Sequence, residues 1–194
     1  MLRPRSPTSS NPKRSLADPG LTSWTVRPAR PADAPALALV AGATLLETFH
    51  AMIPAADLVA HVANKSSVAA FADWIADPDS HVLYAGARAT DAPVGYAVLT
   101  TPDFPADALR PWDAELRRIY TLAAVHGSGL GPALIDAALQ EARARGHARM
   151  LLGVHPENDR ARRFYERTGF RVVGERSFSV GDSRFTDPIY AMAL

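Results

Sequence analysis

Val125-His126-Gly127-Ser128-Gly129-Leu130-Gly131-Pro132-Ala133 is the stretch on which the fold turns. Three glycines alternate there with small or apolar residues. A strand-like apolar run, Leu116–Leu122, precedes it, and an amphipathic helical pattern, Ala133–Arg145, follows. Glycines opening a helix leave backbone N–H groups uncovered, and these add to the partial positive charge of the helix end. Such an end binds phosphate, so the loop is expected to hold a phosphorylated ligand.

Other glycine loops fit less well. A dinucleotide fingerprint counted from Gly127 needs glycine at 132, which is Pro132. No Lys-Ser or Lys-Thr follows, as a nucleoside-triphosphate loop requires. A nucleophile elbow at Ser128 needs glycine at 126, which is His126. The remaining pattern resembles the coenzyme A loop of the GNAT superfamily of N-acetyltransferases, Arg/Gln-x-x-Gly-x-Gly/Ala, with His126 at its first position. The resemblance implies that His126, Gly127, Ser128, Gly129, Leu130 and Gly131 face the coenzyme pyrophosphate, mainly through backbone N–H groups.

Working outward, Met150–Val154 is a short apolar run, and Asn158 to Phe170 follows. That segment resembles the GNAT signature Asn-x-x-Ala-x-x-Phe-Tyr-x-x-x-Gly-Phe at every named position. The residues also read without the family. Asn158 is a good helix N-cap. Ala161 and Phe164 share the inward face. Gly169 suits the left-handed position that ends a helix. Asn158 and Tyr165 lie two turns apart on one face.

The rest reads as an alternating α/β chain. Strands are expected at Trp24–Arg30, His81–Arg88, Val94–Thr101, Glu115–Leu122, Met150–Val154, Phe170–Val180 and Ile189–Leu194. Helices are expected from Pro31 to Glu47 with Asp33 as cap, over Asp57–Ala76 with a break near Lys65-Ser66-Ser67, over Gly129–Arg145 and over Asn158–Thr168. This order fits the GNAT fold: an α/β (α+β) mixed, mostly antiparallel sheet of six to seven strands, strands four and five splayed, flanked by about four helices. Splaying frees backbone groups for the amide-rich pantetheine arm. The resemblance assigns those groups to Tyr120, Thr121 and Leu122, with Asn158 touching the same arm.

At 194 residues the chain reads as a disordered extension, 1–20, and one domain, 21–194. The extension lacks the apolar core of a secretory signal, and no apolar run approaches membrane-spanning length. Without cysteine there is neither disulfide nor thiol catalysis. A net charge of +1 with no basic stripe gives no nucleic-acid surface. Six histidines stand at 50, 61, 81, 126, 147 and 155 without ligand spacing, so no metal is expected, and His155 reads as a loop residue. A cytoplasmic enzyme is the expectation, and the family's habit of pairing through late strands makes a homodimer reasonable.

Acetyl transfer to an amine requires a proton acceptor, an oxyanion donor and an acid for the thiolate. Glu115, whose spacing before His126 matches the catalytic glutamate of histone-type relatives, is the candidate base. A water chain or a solvated carboxylate paired with Arg117 or Arg118 is the alternative. Strand alternation puts Glu115, Arg117, Ile119 and Thr121 on one face. Tyr165 is the candidate acid, because the family places this hydroxyl by the coenzyme sulfur. The tail Ser177–Ile189 and the Glu47-Thr48-Phe49 run are similar to bacterial spermidine/spermine acetyltransferases, which makes Glu47, Asp182 and Asp187 candidate substrate residues, although Arg171, Arg176 and Arg184 balance them. The expected function is acetyl-CoA-dependent N-acetylation of a small-molecule primary amine, with polyamine as one acceptor. A protein N-terminal or lysine acetyltransferase and a non-catalytic acyl-CoA-binding regulator are the alternatives.

Overall fold

On the strand β2 (His81–Ala87), Val82 and Tyr84 turn to one side and Leu83 and Ala85 to the other, and all four are buried. Alternation with both faces apolar describes a sheet covered by helices on each side. A computed structural model, describing residues 23–180 and 183–194, has that arrangement. The other strands are β1 (Trp24–Pro28), β3 (Pro93–Thr100), β4 (Asp113–Thr121), β5 (Arg149–Gly153), β6 (Arg171–Val180) and β7 (Ser183–Ala193). The seven pair in the order β1-β2-β3-β4-β5-β7-β6, antiparallel throughout except at β4 and β5.

Helix α4 (Leu130–Ala144) covers one face through Leu130, Leu134, Ile135 and Ala138, and α5 (Asp159–Thr168) joins it there through Tyr165. The other face carries α1 (Ala34–Phe49) and α3 (Val68–Ala76), which enclose Tyr84, Tyr96 and Val98 with Leu37 and Phe71. Helix α2 (Ala55–Lys65) packs Leu58 with Phe49, Ile53 and Val180. The expected break falls where Ser67 caps α3 by accepting from Ala70 N–H at 3.1 Å. Asp33 does precede α1, but its carboxylate serves Arg27 at 2.6 Å and the Arg30 N–H at 2.7 Å, not the helix. One expectation needs correcting: Pro31–Phe49, with mean hydropathy 1.3, is long and apolar enough to span a membrane by length and composition. Here its apolar stripe packs on the sheet, as a core helix does.

Strands β4 and β5 pair only from Asp113 to Glu115 against Arg149 to Leu151. Beyond Glu115, β4 runs on to Thr121 paired with β3 only, while β5 stays with β7 as far as Gly153, so the two strands part. Asp113 and Arg149 pin the closed end. The Arg149 guanidinium donates to both carboxylate oxygens at 2.8 and 2.6 Å and to the Ala108 carbonyl at 2.8 Å.

A β-bulge sits just above the pin. Leu99 faces Leu116 and Val98 faces Arg118, leaving Arg117 as the extra residue. The bulge corrects the expected face: Leu116 and Ile119, three apart, both join the α4 side. Glu115 lies opposite, on the side of Arg118 and Tyr120. The last strand also begins at Ser183, not Ile189, which puts Asp187 inside β7.

Candidate active site

The glycine loop is built by spending some amides and sparing others. A short 3-10 turn, Ala123–Val125, follows β4. Within it, His126 N–H donates to the Ala123 carbonyl and Ser128 N–H to the Val125 carbonyl. The N–H groups of Gly127, Gly129, Leu130 and Gly131 find no acceptor among the described residues. Gly129, Leu130 and Gly131 open a fifteen-residue helix, where its dipole is positive, and Gly127 lies in the turn just before it. Gly129 holds φ +86°, and a Cβ at Gly127 would meet open space. The Ser128 hydroxyl accepts from the Trp24 indole at 3.1 Å, which ties β1 to the loop. The His126 ring reaches back to the Thr121 carbonyl at 3.2 Å. Burial, and then the nearby Arg160 charge, hold its pKa below the ordinary histidine value. Arg160 is thus the arginine beside the loop, a neighbour missed in the sequence because the same helix offers Arg162 and Arg163 too.

Gly129→Ala is expected to strain this turn by about 1–2 kcal/mol. Binding of a phosphorylated ligand should weaken about tenfold or more, the worth of one hydrogen bond to a charged group. Calorimetry with coenzyme A measures it, and undiminished affinity would remove the loop from the site.

Leu122 has both backbone groups bonded within the fold. Its N–H is committed to the Val94 carbonyl at 2.9 Å and its carbonyl to Val125 N–H at 3.1 Å. The 3-10 turn begins immediately after it and uses groups an extended strand would leave open. Tyr120 and Thr121 lie where β4 keeps β3 as a partner but has lost β5. Asn158 caps α5, its Oδ1 accepting from Ala161 N–H at 3.1 Å, so its amide N–H groups remain available.

Tyr165 is buried, its ring edge-on to Phe164 and Phe170 at 5.3 and 5.7 Å. Its hydroxyl makes no hydrogen bond to a described residue. Burial raises its pKa, helped by the nearby Tyr120 phenol, so it stays protonated at neutral pH.

Glu115 is 1% exposed, not a solvated strand-end carboxylate. One oxygen accepts from Asp103 N–H at 3.0 Å and from Arg117 at 3.1 Å; the other faces Arg176 at 3.5 Å. Burial pushes its pKa up, against Arg117, the Asp103 amide and Arg176. It occupies the last paired rung, where β4 and β5 part.

Of the acidic substrate candidates, Asp182 lies outside the described residues. Glu47 accepts from Ala123 N–H at 2.9 Å and so supports the turn before the loop. Asp187 is 3% exposed and its pKa is raised, chiefly by burial. His155, expected as an ordinary loop residue, is instead buried between Phe49 and Phe185, with ring centroids 5.5 and 4.3 Å away. No cluster of three or more metal-ligating side chains occurs among the described residues.

Free amides at a helix start thus lie beside a strand pair that opens. The Acetyltransferase (GNAT) family model matches residues 47–170. An uncharacterized N-acetyltransferase of Mycobacterium tuberculosis is 36% identical over 166 residues, covering 84% of this chain and 98% of the relative. The chain belongs to the GNAT acetyltransferase family. Among solved structures, the PaiA N-acetyltransferase of Thermoplasma acidophilum in complex with coenzyme A superposes with TM-score 0.72 at 20% identity, over 89% of this chain and 99% of that one. The yncA acetyltransferase of Salmonella typhimurium, with its cofactor acetyl-CoA, gives TM-score 0.60 at 20% identity over 89% and 94%.

Proposed function

We propose that the protein moves an acetyl group from acetyl-CoA directly to a small primary amine, with both bound at once. The observation that carries this reading is the set of unspent N–H groups at Gly127, Gly129, Leu130 and Gly131 beside the parted β4 and β5. Those amides suit a pyrophosphate, and the unpaired edge of β4 at Tyr120 and Thr121 suits an amide-bearing tether, with Asn158 donating from the α5 side. Acetyl-CoA supplies an acetyl thioester.

The amine nitrogen, once deprotonated, attacks the thioester carbonyl carbon. A C–N bond forms, the C–S bond breaks, the thiolate takes a proton from Tyr165, and the second proton of the acylated nitrogen returns to the Tyr165 oxygen. The amine proton leaves toward Glu115 through water, since the carboxylate itself is enclosed by Arg117, Arg176 and the Asp103 amide. Burial raises the Glu115 pKa above the ordinary carboxylate value, which makes it a better proton acceptor.

A polyamine acceptor is a finer reading suggested by the Phe178 to Asp187 tail, and the Arg176 guanidinium beside Asp187 counts against it. Of Glu47, Asp182 and Asp187, Asp187 is the one with a buried carboxylate oxygen left without a partner among the described residues. Purified full-length protein with acetyl-CoA should release free thiol in the presence of at least one primary amine from a panel. Acetyl-CoA binding with no turnover on any amine or peptide would favour a regulator, and absence of binding would overturn the reading altogether.

A further inference from the structure

Buried polar side-chain atoms are almost always hydrogen-bonded, so clustered exceptions point to something that completes them. Among the described residues, the buried atoms lacking a partner are His147 Nδ1, His155 Nε2, Arg176 Nε and Asp187 Oδ1. Three of these four converge. Asp187 and Arg176 face each other across β7 and β6, with Arg176 Nε 4.0 Å from Asp187 Oδ2, too long for a hydrogen bond. His155 lies two residues past β5, its ring over Phe185, which shares the Asp187 face of β7.

Each orphan has a defined polarity. His155 Nδ1 accepts from Glu157 N–H at 3.2 Å, so the neutral ring carries its proton on Nε2 and that atom is a donor. Arg176 Nε is a donor, and Asp187 Oδ1 is an acceptor. The place is also fixed. Arg176 lies over Gly153, the end of β5, where a Cβ would run into its guanidinium, and it is held above Phe104 and Phe178 at 4.6 and 4.9 Å. Its other end reaches Glu115 at the parting of β4 and β5. The three orphans therefore border the point where the acetyl group would arrive, on the face opposite α4 and α5.

We propose that Asp187, His155 and Arg176 form the acceptor subsite, and that it selects a primary amine bearing an oxygen function on a neighbouring carbon. This rests on the acetyltransferase reading above. Asp187 takes the ammonium group, while the N–H donors of His155 and Arg176 take the neighbouring hydroxyl or carbonyl oxygen. One acceptor and two donors complement such a ligand, and they leave a simple alkylamine with unmatched donors. A polycation fits poorly, because Arg176 sets a positive charge beside Asp187 and Glu115 is already bonded on both oxygens.

Ethanolamine and propylamine are matched in size and differ in the oxygen, and spermidine tests the polycation. Full-length enzyme should show kcat/KM at least tenfold higher for ethanolamine than for propylamine or spermidine. Asp187→Asn, which keeps the shape, should lower kcat/KM for ethanolamine by at least tenfold. His155→Phe, which keeps the aromatic packing, should bring the ethanolamine-to-propylamine ratio toward one. Coenzyme A affinity should stay unchanged in both variants. Equal rates for the three amines in the unaltered enzyme, or a preference for spermidine, would overturn the subsite and leave the acetyltransferase reading standing. No thiol release with any amine would overturn that reading itself. The comparison in the unaltered enzyme needs no variant to fold.

Discussion

Tyr165→Phe is expected to slow turnover by about 10²–10⁴-fold, the range over which a positioned acid contributes. The side chain is buried, yet its hydroxyl bonds to no described residue, so the fold makes no use of the oxygen. Phenylalanine preserves the edge-on packing against Phe164 and Phe170. The loss should therefore fall on kcat, with the acetyl-CoA dissociation constant and the melting temperature almost unmoved. Burial keeps the phenol protonated, the form a departing thiolate requires. Thiol release measured against time, together with calorimetry on the same preparation, separates the two effects. Unchanged kcat would mean that the thiolate departs unaided and that Tyr165 serves only as packing.

Asp113→Ala should lower stability sharply. The Asp113 carboxylate is nearly enclosed, and it receives two guanidinium bonds from Arg149 as well as the Arg110 N–H at 2.8 Å. Removing one member of a buried pair costs about 3–5 kcal/mol, because the other charge is left without compensation. For a chain of this length that corresponds to a fall in Tm of roughly 6–20 °C. The double change Asp113→Leu with Arg149→Met should recover much of the loss, since no stranded charge remains. A double variant as unstable as the single one would show that the charges themselves hold the strands. The pair also fixes the closed end of the parting, so activity should fall with stability in the single variant.

How much of this was legible depended on the range of the interaction. Asn158 and Gly169 were readable because a cap is local: each acts on amides or carbonyls within one turn. The loop from His126 to Gly131 was readable for the same reason, although which of its amides stay free depends on the 3-10 turn before it. The bulge at Arg117 left no trace in composition, and a single extra residue reversed the face of everything after it. Strand β7 was placed too late because Arg184, Thr186 and Asp187 read as a polar turn, whereas in the fold Phe185 and Asp187 point inward from a strand. His155, Arg176 and Asp187 come from three separate segments. Only the pairing of β5, β6 and β7 brings them together, and no local pattern announces that.

The indole of Trp24 touches the anion loop through Ser128, whereas Trp74 packs against Phe71 beneath Arg118 and Trp112 is 73% exposed. The protein thus carries an intrinsic fluorophore at the glycine loop proposed to hold phosphate. With the two remote tryptophans replaced, its emission would report occupancy of the loop without a label, during a single turnover as readily as at equilibrium.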